Sequence, residues 1–305
     1  MKQEIPEGGK TKHPHVKVAS RAMFHAALHH VRPLAVLLRA VNIQSQGLVV
    51  ITEEGLRISA DESHSVQASA YCKKDMFQEY TLELPDTDTD GFLSFSLDLD
   101  VLSKCLNVFG NASGSMAGSF RREELTATQS IKANPTATLA YQGYGHPLEL
   151  TQLGGCVTEC RISTFEPEAL PSMTEFFGEA ICRVIIKAEW LRDAFNDLDD
   201  SSDRIQVDIR PEKPYFRLST TSSSGSAQMD YTKDSDVLEM FQCEQYVSSS
   251  YKYSHVQYCK QVLQAASKVS LRVNAEGFMY MQFMVPVNPT TQNFVDFLLA
   301  PIEDD

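Results

Sequence analysis

No run of about 18 apolar residues, the minimum for a membrane-crossing helix, occurs in this 305-residue chain. The nearest stretches, LAVLLRAV and FVDFLLAPI, are short, and the first holds a charge. The N-terminal MKQEIPEGGKTKHPH has no apolar core, so it is expected to be a loose tail rather than a secretory signal. Cysteines are few, seven in all, odd in number and widely spread. That pattern lacks a disulfide framework and fits a reducing compartment, cytosol or nucleus. The sequon at Asn111 then carries no meaning. No Walker loop and no GxSxG occur. A GxG begins at Gly143, but Pro147 and Leu148 break the phosphate-binding fingerprint and no parallel βαβ unit surrounds it.

Positive charge is also scarce: 27 Lys and Arg stand against 40 Asp and Glu, a net charge of -13. Phosphate contacts supply most non-specific nucleic-acid affinity, so this balance argues against a protein that grips nucleic acid with its whole surface. It leaves open one whose basic residues are concentrated on a single face.

What is present is an ordinary globular composition, 43% hydrophobic and 22% charged, with length enough for two domains. A shift of 160 residues brings two segments into register. VRPLAVLLRAV at 31–41 falls on LRDAFNDLDDS, matching apolar positions at helical spacing, and Leu56-Arg57-Ile58-Ser59 falls on Phe216-Arg217-Leu218-Ser219. One residue further, Ser65-Val66-Gln67 meets Ser226-Ala227-Gln228. Matches in order at nearly one offset point to a duplicated unit.

Each half reads as strand, short helix, alternating strands, second helix and closing strands. The helices are expected at 31–41 and 98–109, then at 189–198 and 255–267. Connections too short for crossovers make the strands antiparallel. The fold class is therefore α+β, two similar domains each with two helices packed on one face of a large antiparallel sheet. Expected boundaries are a tail at 1–15, a first domain at 16–164 with a polar surface insert at 110–135, a connector at 165–179, and a second domain at 180–305. The connector, FEPEALPSMTEFFGE, is acidic, Pro-containing and aperiodic.

On helix 31–41, Val31, Leu34, Leu37, Leu38 and Val41 share one face, with Arg32 and Arg39 opposite. On 255–267 the stripe opposite the apolar side holds Gln257, Lys260, Gln264 and, just beyond, Lys268, with no acid in it. Lys104 and Arg192 share their polar faces with acids. Any one such face is an ordinary solvated surface. All four together would present cations to a phosphate backbone.

Carboxylates were weighed as two-metal nuclease ligands. Asp86, Asp88 and Asp90 fall in a turn, Asp98 and Asp100 at a helix N-terminus, Asp197, Asp199, Asp200 and Asp203 after a helix, and Asp234 and Asp236 in a loop. Capping and turn chemistry accounts for all of them. Cys156 and Cys160, with His146 upstream, have the wrong spacing for a zinc knuckle. The histidines at 13, 15, 25, 29 and 30 read as tail, strand and cap residues. No metal or cofactor is expected.

Several segments are distinctive: FQEYTLEL (77–84), AYQGYGHPLELTQLGGCVTECRISTFEPE (140–168), KPYFRLST (213–220) and DYTKDSDVLEMFQC (230–243). On these the chain resembles the sliding-clamp superfamily, and more closely the Rad-one type subunit of the heterotrimeric DNA-damage checkpoint clamp. The C-terminal LLAPIEDD is similar to the end of proliferating cell nuclear antigen. The resemblance runs from about residue 18 to the end, apart from the 110–135 insert.

It implies two βαβββαβββ units per chain, and six such units closing a ring with helices lining the hole. By position, Arg32, Arg39, Lys104, Arg192, Lys260 and Lys268 would face the channel. Subunit contacts would use sheet edges near Val157, Cys160 and Ile162, and near Ala227, Met229 and Tyr231. Partner peptides would dock at the connector with Phe165, Phe176 and Phe177. The implied partners are two sister clamp subunits, a clamp loader, double-stranded DNA, and repair and checkpoint proteins, in the nucleus and without a membrane. The implied role is non-enzymatic. A homotrimeric processivity clamp and, further off, a 3′-to-5′ exonuclease are the alternatives.

Overall fold

The computed structural model describes residues 22–84, 91–108, 136–153, 156–168, 170–173, 177–198, 201–233, 236–287 and 291–303. The tail at 1–15 and the 110–135 insert lie outside the described residues.

The first half runs β1 (Phe24–Leu28), α1 (Arg32–Val41), β2 (Gln46–Thr52), β3 (Gly55–Glu62), β4 (Val66–Lys73), β5 (Glu79–Leu82), β6 (Leu93–Asp98), α2 (Leu99–Leu106), β7 (Thr136–Tyr141), β8 (Leu148–Leu153) and β9 (Val157–Ile162). The short strand β10 (Thr164–Phe165) follows. The second half opens with β11 (Ala180–Lys187), α3 (Ala188–Asp197), β12 (Arg204–Ile209), β13 (Phe216–Ser222), β14 (Gly225–Tyr231) and β15 (Leu238–Cys243). It closes with β16 (Val247–Lys252), α4 (Tyr253–Gln257), α5 (Cys259–Leu263), β17 (Lys268–Asn274), β18 (Met279–Pro286) and β19 (Gln292–Leu299).

Each half has two sheets rather than the single large one expected. In the first half the strand orders are β5-β1-β7-β8-β9 and β6-β2-β3-β4. In the second they are β15-β11-β17-β18-β19 and β16-β12-β13-β14, the same order element for element. The duplication is thus complete at the level of topology. Strands β3 and β13 also align at the shift of 160 read from the sequence, because Leu56 and Phe216, Ile58 and Leu218 hold matching buried places. The helices do not align at that shift. Helix α1 begins at Arg32 and α3 at Ala188, so the apolar match found there lies about one turn off.

The halves are not merely tethered by a connector. Strand β4 pairs antiparallel with β19, with Ala68 opposite Phe297 and Ala70 opposite Val295, fusing one sheet of each half into a ten-stranded sheet. The small residues Ala68 and Ala70 leave room for the large ring and the branched chain across the ladder, and all four side chains are buried. Buried Ser59 and Ser69 satisfy each other across β3 and β4 at 2.7 Å.

The helices lie side by side: α1 packs on α2 and on α5, α5 also packs on α3, and α1 rests on β4 and β19. Helix α1 starts where Pro33 can occupy the first turn and buries Leu34, Leu37, Leu38 and Val41. Asp98 caps α2, its Oδ1 accepting from the Val101 amide at 2.9 Å, so its carboxylate has the structural task expected of it. Helix α2 ends at Leu106, short of the expected 109. The helix expected at 255–267 is instead two short ones. Around Tyr258 and Ala265 the amides bond three residues back, to His255 and Val262, which tightens the chain out of regular α geometry.

Candidate nucleic-acid interface and open sheet edges

Three of the six expected channel cations, Arg39, Lys104 and Lys260, sit on the helix layer. Lys104 is exposed on α2. Arg39, in the last turn of α1, donates its Nε to the Ala35 carbonyl at 3.2 Å and so lies back along its own helix. Lys260, on α5, lies over the Tyr253 ring at 5.6 Å from the centroid. Arg32 opens α1 and is half-buried. Arg192 is half-buried on α3 and pairs with Asp193 at 3.6 Å, its charge partly answered by its neighbour.

Lys268 is a correction. It does not extend the α5 stripe but begins β17, and its Nζ pairs with Glu239 Oε2 at 2.7 Å. The alternation of KVSLRV, with Val269, Leu271 and Val273 buried, outweighs the helical reading at its first residue. The stripe read as acid-free therefore meets an acid from β15, which only the pairing of β15 beside β11 brings near.

Two strands end their sheets without a neighbour among the described residues and bear on assembly: β9 and β14. These are the strands expected to carry subunit contacts. Val157 is 64% exposed, while Cys160, Ala227 and Met229 are half-buried with apolar atoms against the core. Ile162 and Tyr231 are corrections at the level of the side chain. Both are buried, and Tyr231 stacks on Phe216 and donates its hydroxyl to the Trp190 carbonyl at 3.3 Å. At those two positions a neighbour meets backbone only. Outward from β14, Asp230 accepts two bonds from Arg217, at 2.6 and 3.0 Å, and the guanidinium holds its carboxyl below the usual carboxylate range.

The connector is fastened across the ten-stranded sheet. Phe165 pairs with Ser96, and Gln67 Nε2 donates to the Pro171 carbonyl at 3.1 Å. Phe177 is only 5% exposed, packed with Met173 against Tyr280 and Leu298 while Asn274 Nδ2 donates to its carbonyl at 2.9 Å. It is an anchor of the connector, not a docking residue. Phe165 is 54% exposed and stays available; Phe176 lies outside the described residues. Glu168 and Leu170 border a recess of about 310 Å³ with Gly47, Ser59, Asp61 and His64.

A larger recess, about 560 Å³, was not legible in the sequence. It lies where β2, β3 and β4 meet β18 and β19, and Arg57, Tyr71, Lys73, Phe92, Phe294 and Asp296 line it. Asp296 is buried there, and burial pushes its carboxyl up to about 6 against hydrogen bonds from Tyr280 and Gln282 and the charge of Arg272. Arg272 also stacks over the Tyr280 ring at 4.5 Å. Such a site joins residues some 240 positions apart (Arg57 to Asp296), so only the β4–β19 pairing assembles it.

The acids weighed as nuclease ligands do not converge where they are described. Asp98 caps α2, Asp100 accepts from Asn42 at 2.8 Å, and the Asp203 carbonyl accepts from the Tyr253 amide at 2.9 Å. Asp86, Asp88, Asp90, Asp199, Asp200 and Asp234 lie outside the described residues. Among the described residues no group of three or more His, Cys, Asp or Glu is placed to hold a metal. The GxG reads as a turn: Gly143 and Gly145 both have positive φ between β7 and β8, and a Cβ at Gly143 would strike Met23 Sδ.

Residues 23–285 match the family described as Repair protein Rad1/Rec1/Rad17. The human cell cycle checkpoint protein RAD1 is 34% identical over 280 residues, 92% of each chain. The DNA damage checkpoint control protein rad1 of Schizosaccharomyces pombe is 26% identical over 92% of this chain and 87% of its own. A more distant relative from Mycosarcoma maydis, 22% identical over 88% of this chain and 89% of its own, is named DNA repair exonuclease REC1. The solved structure of PCNA from Thermococcus kodakaraensis covers 92% of this chain and 100% of its own at a TM-score of 0.64 and 18% identity, which identifies the fold as that of a sliding clamp.

Proposed function

From the premise that this chain belongs to the Rad1/Rec1/Rad17 family of repair proteins, we propose that it is one subunit of a ring-shaped checkpoint clamp. The ring encircles duplex DNA at sites of damage in the nucleus, is placed there by a clamp loader, and recruits repair and checkpoint proteins. The chain works by topology rather than by catalysis.

One observation carries this reading. Inside the chain, the last strand of the second unit, β19, pairs with β4 of the first. By the repeated strand order, the equivalents of those two strands are β9 and β14, and each lies at the end of its sheet among the described residues. A neighbour of the same fold can therefore continue both sheets with the junction the chain already uses. Such head-to-tail contacts close into a ring when the rotation permits. The helices form one layer, which suits the lining of a hole.

The side chains at these edges favour sister subunits over copies of this chain. The internal junction sets Ala68 and Ala70 against Phe297 and Val295. Strand β14 offers Gly225, Ala227 and Met229, but β9 offers Thr158 and Cys160 rather than a bulky row. A copy of this chain would therefore not repeat the small-against-large match of the internal junction, and volume left unfilled costs stability. The homotrimeric reading is weaker for this reason.

A net charge of -13 suits a protein that encloses DNA without gripping it, since a few phosphate contacts leave the ring mobile. The connector recess and the larger recess at Tyr71 and Phe294 are concave, partly apolar surfaces on which partner peptides can dock. In the nuclease reading, the described aspartates would have to release their cap and turn bonds to converge.

The test uses the chain assembled with its sister subunits and loaded on a nicked plasmid. Retention that is lost on linearising the plasmid supports encirclement. Retention that survives linearisation, or a stable homotrimer of the isolated chain by mass measurement, overturns the reading. Metal-dependent nuclease activity abolished by changing Asp98, Asp100 or Asp203 to Asn would overturn its non-catalytic part.

A further inference from the structure

Cys182 on β11 and Cys243 on β15 stand directly opposite each other in the ladder. Their Sγ atoms are 3.3 Å apart, and both thiols lie near the Gln245 carbonyl oxygen, at 3.5 and 3.1 Å. The neighbouring Glu244 amide donates to the Ile181 carbonyl at 3.1 Å. The Ile181–Glu244 pair is therefore the hydrogen-bonded kind, and the cysteine pair one step along is the non-bonded kind, in which side chains approach most closely. Cα separations of about 4.5 Å in such pairs fall inside the range of about 4.4–6.8 Å that a disulfide spans. The sulfurs need close by only about 1.2 Å to reach bonding distance, a movement that side-chain rotation supplies without shifting the backbone.

The two thiols differ in access. Cys182 is buried, whereas Cys243 is half-buried at the end of β15, the outermost strand of the ten-stranded sheet. A small oxidant approaching from solvent meets Cys243 first, with Cys182 in place behind it. The other described cysteines do not combine these features. Cys105 on α2 and Cys160 on β9 also approach each other, but they are not opposite partners in a ladder and neither is buried; Cys72 and Cys259 are buried on separate elements, and Cys156 is exposed.

We propose that Cys182 and Cys243 are a redox pair that a peroxide closes to an intrachain disulfide. The Cys243 sulfur attacks one peroxide oxygen, the O–O bond breaks, and a sulfenic acid and one water form. The Cys182 sulfur then attacks the Cys243 sulfur, the S–O bond breaks, and the hydroxyl leaves with the remaining thiol proton as a second water. Two thiols and one hydrogen peroxide thus give one disulfide and two waters, the peroxide being the oxidant reduced. Burial raises both thiols above the ordinary cysteine range, so both stay protonated at neutral pH and the first step is slow. The product pins the edge strand β15 to β11.

The experiment treats the full chain with hydrogen peroxide, blocks remaining thiols with N-ethylmaleimide, and maps peptides without reduction. The expected product is a linked peptide pair containing Cys182 and Cys243, lighter by two hydrogens and released by dithiothreitol. In Cys182→Ser, dimedone should instead trap Cys243 as the sulfenic acid, and no link should form. Linkage confined to Cys105 and Cys160, or progression of Cys243 to sulfinic acid in the unaltered chain without any linked peptide, would overturn the proposal. So would full alkylation of both thiols after peroxide treatment. Because the mapping is decisive on the unaltered chain, a variant that fails to fold does not remove the test.

Discussion

Tyr258, between α4 and α5, donates a 2.8 Å hydrogen bond to Glu62 at the end of β3, tying the second half of the chain to the first on the helix side. Together with the β4–β19 ladder, this makes the junction two-sided: strands on one side, a side-chain bond on the other.

Tyr258→Phe keeps the ring and removes only the donor. Hydrogen bonds to charged groups contribute about 1.5–3 kcal/mol, and water can replace part of this at a half-buried carboxylate. A loss of about 1 kcal/mol in urea unfolding is expected. No change in the midpoint would mean that this bond does not couple the halves.

Phe297→Ala strikes the ladder itself. The ring is fully buried opposite Ala68, which cannot grow to fill the space. Truncations of this kind cost about 3–5 kcal/mol. The transition should also lose cooperativity, visible as unfolding steps that differ between fluorescence and circular dichroism. A single unchanged transition would show the halves to be independent of this contact.

Asp296 sets a pH dependence whose sign is unusual for a carboxylate. Its folded-state pKa lies at about 6, above the ordinary carboxylate value of 3.8. The folded state therefore holds the proton more tightly than the unfolded chain. The group's contribution is most favourable below the unfolded pKa, falls as pH rises from about 4 to 6, and is flat above that. The difference corresponds to roughly 3 kcal/mol, an upper figure for a group this buried. Asp296→Asn should remove that fall, so that stability at pH 7 relative to pH 4 is higher in the variant than in the unaltered chain. An equal gap in both proteins counts against the raised carboxyl.

The cations separate into two groups. Changing Arg39, Lys104 and Lys260 to Ala should leave assembly with the sister subunits intact and weaken retention on DNA. Each lost phosphate contact should lower the log–log salt slope by about 0.9. Lys268→Ala should instead lower stability slightly, by less than about 1 kcal/mol as for other part-exposed ion pairs, with the salt slope unchanged. If Lys268→Ala alone reduced the slope, its pairing with Glu239 would not be what holds it.

The alternation of Leu56, Ile58 and Ala60, the apolar face of α1, the Asp98 cap and the matching strand at Phe216 were all readable in the chain, because period and local capping are properties of neighbouring residues. From these followed the α+β class and the duplicated unit, and the resemblance supplied the clamp. The pairing of the halves through β4 and β19 was not readable, since nothing local to Ala68 announces Phe297 as its partner. The same blindness ran the helix stripe on to Lys268, offered Phe177 for docking, missed the recess around Asp296 and left Cys182 and Cys243 as two unrelated thiols. Each of those depends on which strand lies beside which, a choice made by long-range packing of side chains that the sequence separates by tens to hundreds of residues. Composition and periodicity determined what the units are; the tertiary structure decided that β4 and β19 meet inside the chain, and so left their counterparts β9 and β14 at sheet ends.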